Sequence, residues 1–148
     1  MNFRAKKSKY NNKKIVNEFG TWDSKKEFQR WLVLKEAEAQ GVITNLQRQV
    51  KFELIPAVTE EYVEHLKTKD KIKTRTLQLA ITWTADFVYL KNGEEIIEDV
   101  KPSKFLLSDR FVIKEKLFFW KYRKKIRLVY DVTDPISYKK VCIFEFFL

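Results

Sequence analysis

Asp86, Asp99 and Lys101 are the residues of this chain whose types and spacing point most directly to chemistry. Asp86 lies in a stretch from Leu77 to Leu90 rich in Ile, Thr, Trp, Phe, Val and Tyr, which predicts a long strand. Asn92 and Gly93 follow, a pair that tolerates positive φ at both central positions of a two-residue hairpin turn. The return strand is expected from Glu94 to Lys101, ended by Pro102, which lacks a backbone donor. With a two-residue turn Lys91 faces Glu94. Counting outward, Val88 then faces Ile97, Phe87 faces Glu98, Asp86 faces Asp99 and Thr84 faces Lys101. Asp86, Asp99 and Lys101 are expected on one sheet face with Val88 and Ile97, and Glu98 on the other.

Directly opposed carboxylates have Cβ atoms about 5 Å apart and repel each other, so the pair requires a compensating charge. A hard divalent cation supplies one: Mg²⁺ takes oxygen ligands and is commonly held by one or two carboxylates with water and substrate phosphate. Lys101 on the same face can stabilise charge developing on a phosphoryl oxygen or orient an attacking water. The plainer alternative is an exposed sheet face on which lysines neutralise the two acids. Apolar Val88 and Ile97 flanking them favour a covered face instead.

A helix is expected to precede these strands, capped by Asp23 or Ser24, running to about Gln40 and stopped by Gly41. Projected at about 100° per residue, its apolar arc holds Leu34, Trp31, Phe28 and Leu32, with Glu27 inside it. A buried carboxylate needs a cation or a basic partner. Glu27 is therefore a candidate third acid, and Glu38, which projects almost the same way at the far end of the helix, competes with it.

Thirty basic against twenty acidic residues give a net charge of +10 over 148 residues, which points to a polyanion as partner. Six of the first fourteen residues are basic, among them Lys9, Lys13 and Lys14. Arg110 to Arg127 holds eight basic residues against the single acid Glu115. Lys67, Lys69, Lys71, Lys73 and Arg75 alternate with other residues and at strand spacing share one face, serving either phosphate contact or protection of a sheet edge. Cys142 is the sole cysteine and His65 the sole histidine, which excludes an internal disulfide and a Cys/His zinc site. No apolar run approaches the roughly 20 residues of a membrane helix, and the N-terminus lacks a hydrophobic leader, so no membrane association and a cytoplasmic location are expected.

The remaining elements follow from pattern. Residues 1–20 are expected to form a flexible basic arm and 21–148 a single domain. A strand is expected from about Leu46 to Leu54, and a polar insertion over 59–76 with a short helical turn at Tyr62 to Leu66. A second helix should start at Ser108 or Asp109 and run to about Tyr122. A strand from Ile126 to Val132 follows, with another from Val141 to Phe147. The order is helix, three strands, helix, then one or two strands.

An acid on one strand, acid-x-lysine on the next and a glutamate on a preceding helix together resemble the PD-(D/E)xK nuclease superfamily, which includes restriction enzymes and Holliday-junction resolvases. The motif here reads Thr84-Ala85-Asp86-Phe87 and Glu98-Asp99-Val100-Lys101, with alanine where the family has proline. More closely, the chain resembles short phage-encoded proteins of this type. That likeness rests on Lys7-Ser8-Lys9-Tyr10-Asn11, Trp22-Asp23-Ser24-Lys25-Lys26-Glu27, Gln49 to Leu54 and the hairpin.

The resemblance implies an α/β (α+β) restriction-endonuclease-like core, with a mainly antiparallel three-stranded meander in a mixed central sheet. It implies Glu27, Asp86 and Asp99 as ligands of Mg²⁺ or Mn²⁺, with the Val100 carbonyl as a further oxygen and Lys101 as catalytic lysine. Lys114 and Lys116 are implied as polar residues supplied by the second helix. The expected activity is metal-dependent endonucleolytic cleavage of branched or single-stranded DNA in phage recombination or replication, in the host bacterial cytoplasm, with a homodimer as one arrangement. The alternative is a non-catalytic nucleic-acid-binding protein of the same fold.

Overall fold

A computed structural model of the chain describes residues 14–134 and residue 136. A four-stranded sheet in the order β3-β6-β7-β8 carries one helix on each face. Its strands are β3 (Thr44–Ile55), β6 (Ile81–Lys91), β7 (Glu94–Val100) and β8 (Arg127–Val129). The first three pair antiparallel and β8 joins β7 in parallel, so the sheet is mixed.

Helix α1 (Lys25–Ala39) begins where Ser24 Oγ accepts the Glu27 N–H at 3.1 Å, and Gly41, at φ +72°, turns the chain out of it. Helix α2 (Asp109–Tyr122) is capped in the same way, Ser108 Oγ accepting the Phe111 N–H at 3.2 Å. Leu34 and Ala37 of α1 pack with Trp22, Ile43, Phe87, Tyr89 and Ile96 on one face of the sheet. Phe111 and Phe118 of α2 pack with Leu54, Trp83, Val88, Ile97 and Ile126 on the other. Strands buried on both faces read as continuous apolar runs, which is why the stretch around Asp86 lacks clean alternation.

Both turn residues of the β6–β7 hairpin have positive φ, Asn92 at +51° and Gly93 at +80°. The expected pairs Val88 with Ile97 and Phe87 with Glu98 form.

Five expectations are revised. Residues 14–20, assigned to the flexible arm, hold β1 (Ile15–Asn17), which pairs with β2 (Gly20–Trp22). Trp22 is buried under α1, and Arg48 donates to the Phe19 and Thr21 carbonyls at 2.9 and 2.8 Å, so this small hairpin is fastened to the sheet. No helical turn occurs at Tyr62 to Leu66. The 59–76 insertion is a separate antiparallel hairpin of β4 (Val58–His65) and β5 (Asp70–Gln78), in which Tyr62 faces Lys73 and Val63 faces Ile72. The strand expected from Leu77 begins at Ile81, because Leu77 and Gln78 belong to β5. The strand expected over 126–132 is confined to Arg127–Val129, since the Val132 carbonyl turns to the buried Arg30 guanidinium at 3.0 Å. Leu32 is exposed rather than in the apolar arc of α1, whose buried residues are Glu27, Arg30, Leu34 and Ala37. Residues 1–13 and the strand expected at Val141 to Phe147 lie outside the described residues.

Candidate active site

The two strands that carry the acids diverge just where the acids lie. Ladder pairing between β6 and β7 ends at Phe87 and Glu98. One residue further, the Asp86 side chain enters the gap: its Oδ2 accepts the Val100 N–H at 2.7 Å, a donor that the ladder leaves open. The Lys101 N–H goes instead to the Val129 carbonyl on β8 at 2.9 Å. Asp86 and Asp99 are both buried and close enough for their charges to interact, but the direct cross-strand pairing expected from the turn register does not form. Thr84 does not face Lys101; it pairs with Lys51 on β3.

The reason for that departure lies at Gln49. Arg48 and Phe87 are partners on the α1 side of the sheet, with Arg48 stacked 3.8 Å from the centroid of the Trp22 ring. Two residues along each strand, the partners Val50 and Ala85 pack on the α2 side. Strand residues two apart normally share a face. Both strands therefore exchange faces at the position between, occupied by Gln49 and Asp86, and Gln49 accomplishes this with a left-handed backbone at φ +54°. Gln49 Nε2 donates to Asp86 Oδ1 at 3.3 Å.

Glu27 completes the cluster from the first turn of α1. Its Oε2 accepts the Asp23 N–H at 3.3 Å, so it belongs to the helix cap, and it also hydrogen-bonds the Asp86 carboxyl. Burial and then the Glu27 charge push Asp86 up to about 7; burial and then the Asp86 charge push Asp99 up to about 6; burial raises Glu27 as well. A cavity of about 280 Å³ opens beside the cluster, lined by Asp23, Lys26, Glu27, Val100 and Pro102.

Lys101 forms an ion pair with Asp99 Oδ2 and lies 4.0 Å from the centroid of the Phe111 ring. The Lys101 ammonium is thus the partner of a buried Asp99 oxygen that has no other. Buried carboxyl groups of Asp99, Asp86 and Glu27 within electrostatic reach of one another are oxygen donors of the kind a hard cation takes. Among the described residues no three acid, imidazole or thiol groups already converge as a ready coordination sphere.

Glu38, the competing third acid, is elsewhere: it accepts the Leu46 N–H at 2.9 Å and pairs with Lys35 at 2.7 Å, fixing the start of β3. Glu98 points to the opposite face, as expected, into a buried network that the amino-acid pattern did not reveal. Arg30 grips it at 2.9 and 3.0 Å, the Tyr89 hydroxyl donates at 2.6 Å and Arg127 lies 3.1 Å away. Gln49 was likewise missed, since nothing in a run of strand-forming residues signals positive φ. Glu115 on α2 is a further unanticipated neighbour, whose charge raises Asp99.

The basic residues divide. Lys114 is engaged with the Thr82 carbonyl at 2.8 Å, whereas Lys116 is on the outer side of α2. Lys71, Lys73 and Arg75 are on β5, where Lys73 pairs with Glu64 at 2.6 Å and Arg75 with Glu60. Lys67 and Lys69 precede β5, off the strand face that they were expected to share. Lys14 lies 3.5 Å from Asp23, and Lys9 and Lys13 are outside the described residues.

The fold and cluster define a mixed α/β chain with a carboxylate-lysine centre at the divergence of two antiparallel strands. Over residues 7–139 the chain matches the family described as "Protein of unknown function (DUF1064)", and it belongs to that family. Comparison with curated proteins and with solved structures finds no match. No helix among the described residues is long and apolar enough to cross a membrane.

Proposed function

We propose that the chain is a Mg²⁺- or Mn²⁺-dependent endonuclease that hydrolyses phosphodiester bonds of DNA on a restriction-endonuclease-like core, in the manner of PD-(D/E)xK enzymes. The observation that carries this reading is that the buried carboxyl groups of Glu27, Asp86 and Asp99 lie within electrostatic reach of one another, with Lys101 paired to Asp99. Asp86, Asp99, Glu27 and the Val100 carbonyl would hold the cation. Such an ion lowers the pKa of bound water and neutralises charge on the phosphate.

The chain's own groups account for the rest. Asp86, raised by burial and by Glu27, and Asp99, raised by burial and by Asp86, are groups whose ionised forms a cation would stabilise. Lys101, held over Phe111, keeps a positive charge beside the reacting phosphate and can orient the attacking water. The cavity between the start of α1 and Val100 gives a phosphate access from the solvent side. Lys116, the basic N-terminal residues including Lys9, Lys13 and Lys14, and the hairpin cations Lys67, Lys69, Lys71, Lys73 and Arg75 would contact the DNA backbone, with a smaller share from Lys114, which is tied to Thr82.

A second reading is a non-catalytic nucleic-acid-binding protein of the same fold. It is favoured by the cluster's internal compensation, in which Lys101 answers the charge of Asp99.

The deciding experiment incubates purified protein with single-stranded, duplex, flapped and four-way-junction DNA, with Mg²⁺, Mn²⁺ or chelator. Metal-dependent cleavage should appear on at least one substrate. Asp86→Asn and Asp99→Asn should each lower it by at least about a hundredfold while DNA binding in chelator persists. Cleavage that survives both substitutions would falsify the assignment. Salt-sensitive binding without cleavage selects the second reading.

A further inference from the structure

Helix α2 buries Phe111 and Phe118 against the sheet, yet its other side displays Phe119 and Trp120, which are 41% and 71% exposed. The other three tryptophans behave differently: Trp22 and Trp83 are buried and Trp31 is half-buried. Trp120 and Phe119 form, with Ile126, the apolar part of a cavity of about 280 Å³. Lys116, Lys124 and Lys125 surround it. At the end of the helix Arg123, in the left-handed conformation at φ +56°, brings its guanidinium 4.6 Å from the centroid of the Trp120 ring. Glu115 forms the remaining wall.

An apolar cleft ringed by cations suits a ligand with a flat apolar face and attached negative charge. A nucleotide has both. Base stacking on an aromatic ring tolerates any sequence, and lysines beside it neutralise the phosphates on either side. Bases inside a duplex have both faces covered by their neighbours, so only an unpaired nucleotide can offer one. An apolar protein partner would have to bury several lysines with no acidic groups to meet them. Lys116 and Lys125 form no ion pair with the described residues, whereas Lys124 is held by Glu95 at 2.6 Å.

We propose that this cavity is a subsite for an unpaired nucleotide of single-stranded or flapped DNA, whose base stacks on Trp120 while Lys116 and Lys125 hold the flanking phosphates. It rests on the proposed nuclease reading only for its purpose, which is to select strands with unpaired bases near the scissile bond.

The test is run in chelator, so that no cleavage is needed, with an oligothymidylate of about twelve nucleotides and a blunt duplex of equal length. Tryptophan emission of the wild type should be quenched by the oligothymidylate. Trp120→Ala should abolish that quenching and weaken oligothymidylate binding by about tenfold, with duplex binding changed less than about twofold, and Trp120→Phe should restore most of the affinity. Lys116→Ala with Lys125→Ala should flatten the salt dependence of oligothymidylate binding. Unchanged affinity in Trp120→Ala, or equal losses on both nucleic acids, overturns the proposal. So does a wild-type dimer that Trp120→Ala converts to monomer, which would make the patch a self-association surface. If the wild type cleaves nothing with metal while the Trp120 effect persists, the nuclease reading fails and the subsite stands.

Discussion

The Gln49 amide meets the Asp86 carboxylate at 3.3 Å across the one position where β3 and β6 together exchange the faces they present. Strand residues at positive φ cost on the order of 1–3 kcal/mol and persist where the surrounding structure requires them. Gln49 therefore has two separable contributions, its backbone and its amide. Gln49→Ala and Gln49→Gly both remove the amide, but only glycine relieves the left-handed backbone. Gln49→Gly is expected to be more stable than Gln49→Ala by about 1 kcal/mol in denaturant titrations. Both should lose about ten- to a hundredfold in metal-dependent cleavage, the range for removing a group that orients a ligand. Full activity in either variant would remove Gln49 from the site.

The carboxyl cluster also makes a pH prediction for the metal-free protein. Asp86 rises to about 7 and Asp99 to about 6 on folding, so between about pH 4 and pH 7 the folded state binds more protons than the unfolded state. Stability then falls as pH rises through this window. Asp86→Asn, which carries no charge at any pH, should lose most of that slope and be the more stable protein at pH 7.5. Added Mg²⁺ or Mn²⁺ should stabilise the wild type increasingly as pH rises over the same range, because cations bind the ionised forms. Identical pH profiles for wild type and Asp86→Asn in chemical denaturation would contradict the raised Asp86.

The short-range signals were legible in the amino-acid sequence where a single residue type decides the geometry. Ser24, Ser108, Asn92 and Gly93 each do the job that their chemistry suggests, and the hairpin register follows from the turn. The buried Glu27 was legible from helix periodicity. What was hidden depends on long-range partners. Leu32 looked like core yet is exposed, and Arg30 of the same helix is fully buried, because Glu98, 68 residues away, neutralises it. The face exchange at Gln49 was equally invisible, since it depends on two strands changing together. The strand at Tyr62 was hidden because this hairpin is rich in Glu and Lys, residues depleted in strands.

Glu98, paired with Arg30, supplies a contrast with the acid proposed for catalysis at the neighbouring position. Both Glu98 and Arg30 are fully buried in a bidentate ion pair. Removing one partner of such a pair strands the other charge, at a cost of about 3–5 kcal/mol. Arg30→Ala should therefore lower stability by that order, and Glu98→Gln by somewhat less. Asp99→Asn, one residue along, should leave stability equal or higher while removing cleavage. Thermal or denaturant unfolding of the three variants decides this. A destabilised Asp99→Asn beside a stable Glu98→Gln would reverse the roles assigned to the two acids.

The β4–β5 hairpin offers a different kind of test, because none of its residues belongs to either core. Ile55 at the end of β3 pairs with Ile81 at the start of β6, so the ends that the hairpin joins are already adjacent. Replacing residues 57–79 by a short turn should change stability by less than about 1 kcal/mol, since a shorter connection closes at a lower entropic cost. Metal-dependent cleavage should survive, because no residue of the cluster is removed. DNA binding should respond according to which cations are available. Lys73 and Arg75 are matched by Glu64 and Glu60, whereas Lys67, Lys69 and Lys71 form no ion pair with the described residues. If those three contact phosphates, the slope of log affinity against log salt on duplex DNA should become shallower by about 3, close to one per released contact. An unchanged slope would assign the hairpin lysines to keeping an exposed strand edge from pairing with other chains, and leave DNA contact to the N-terminal residues and α2.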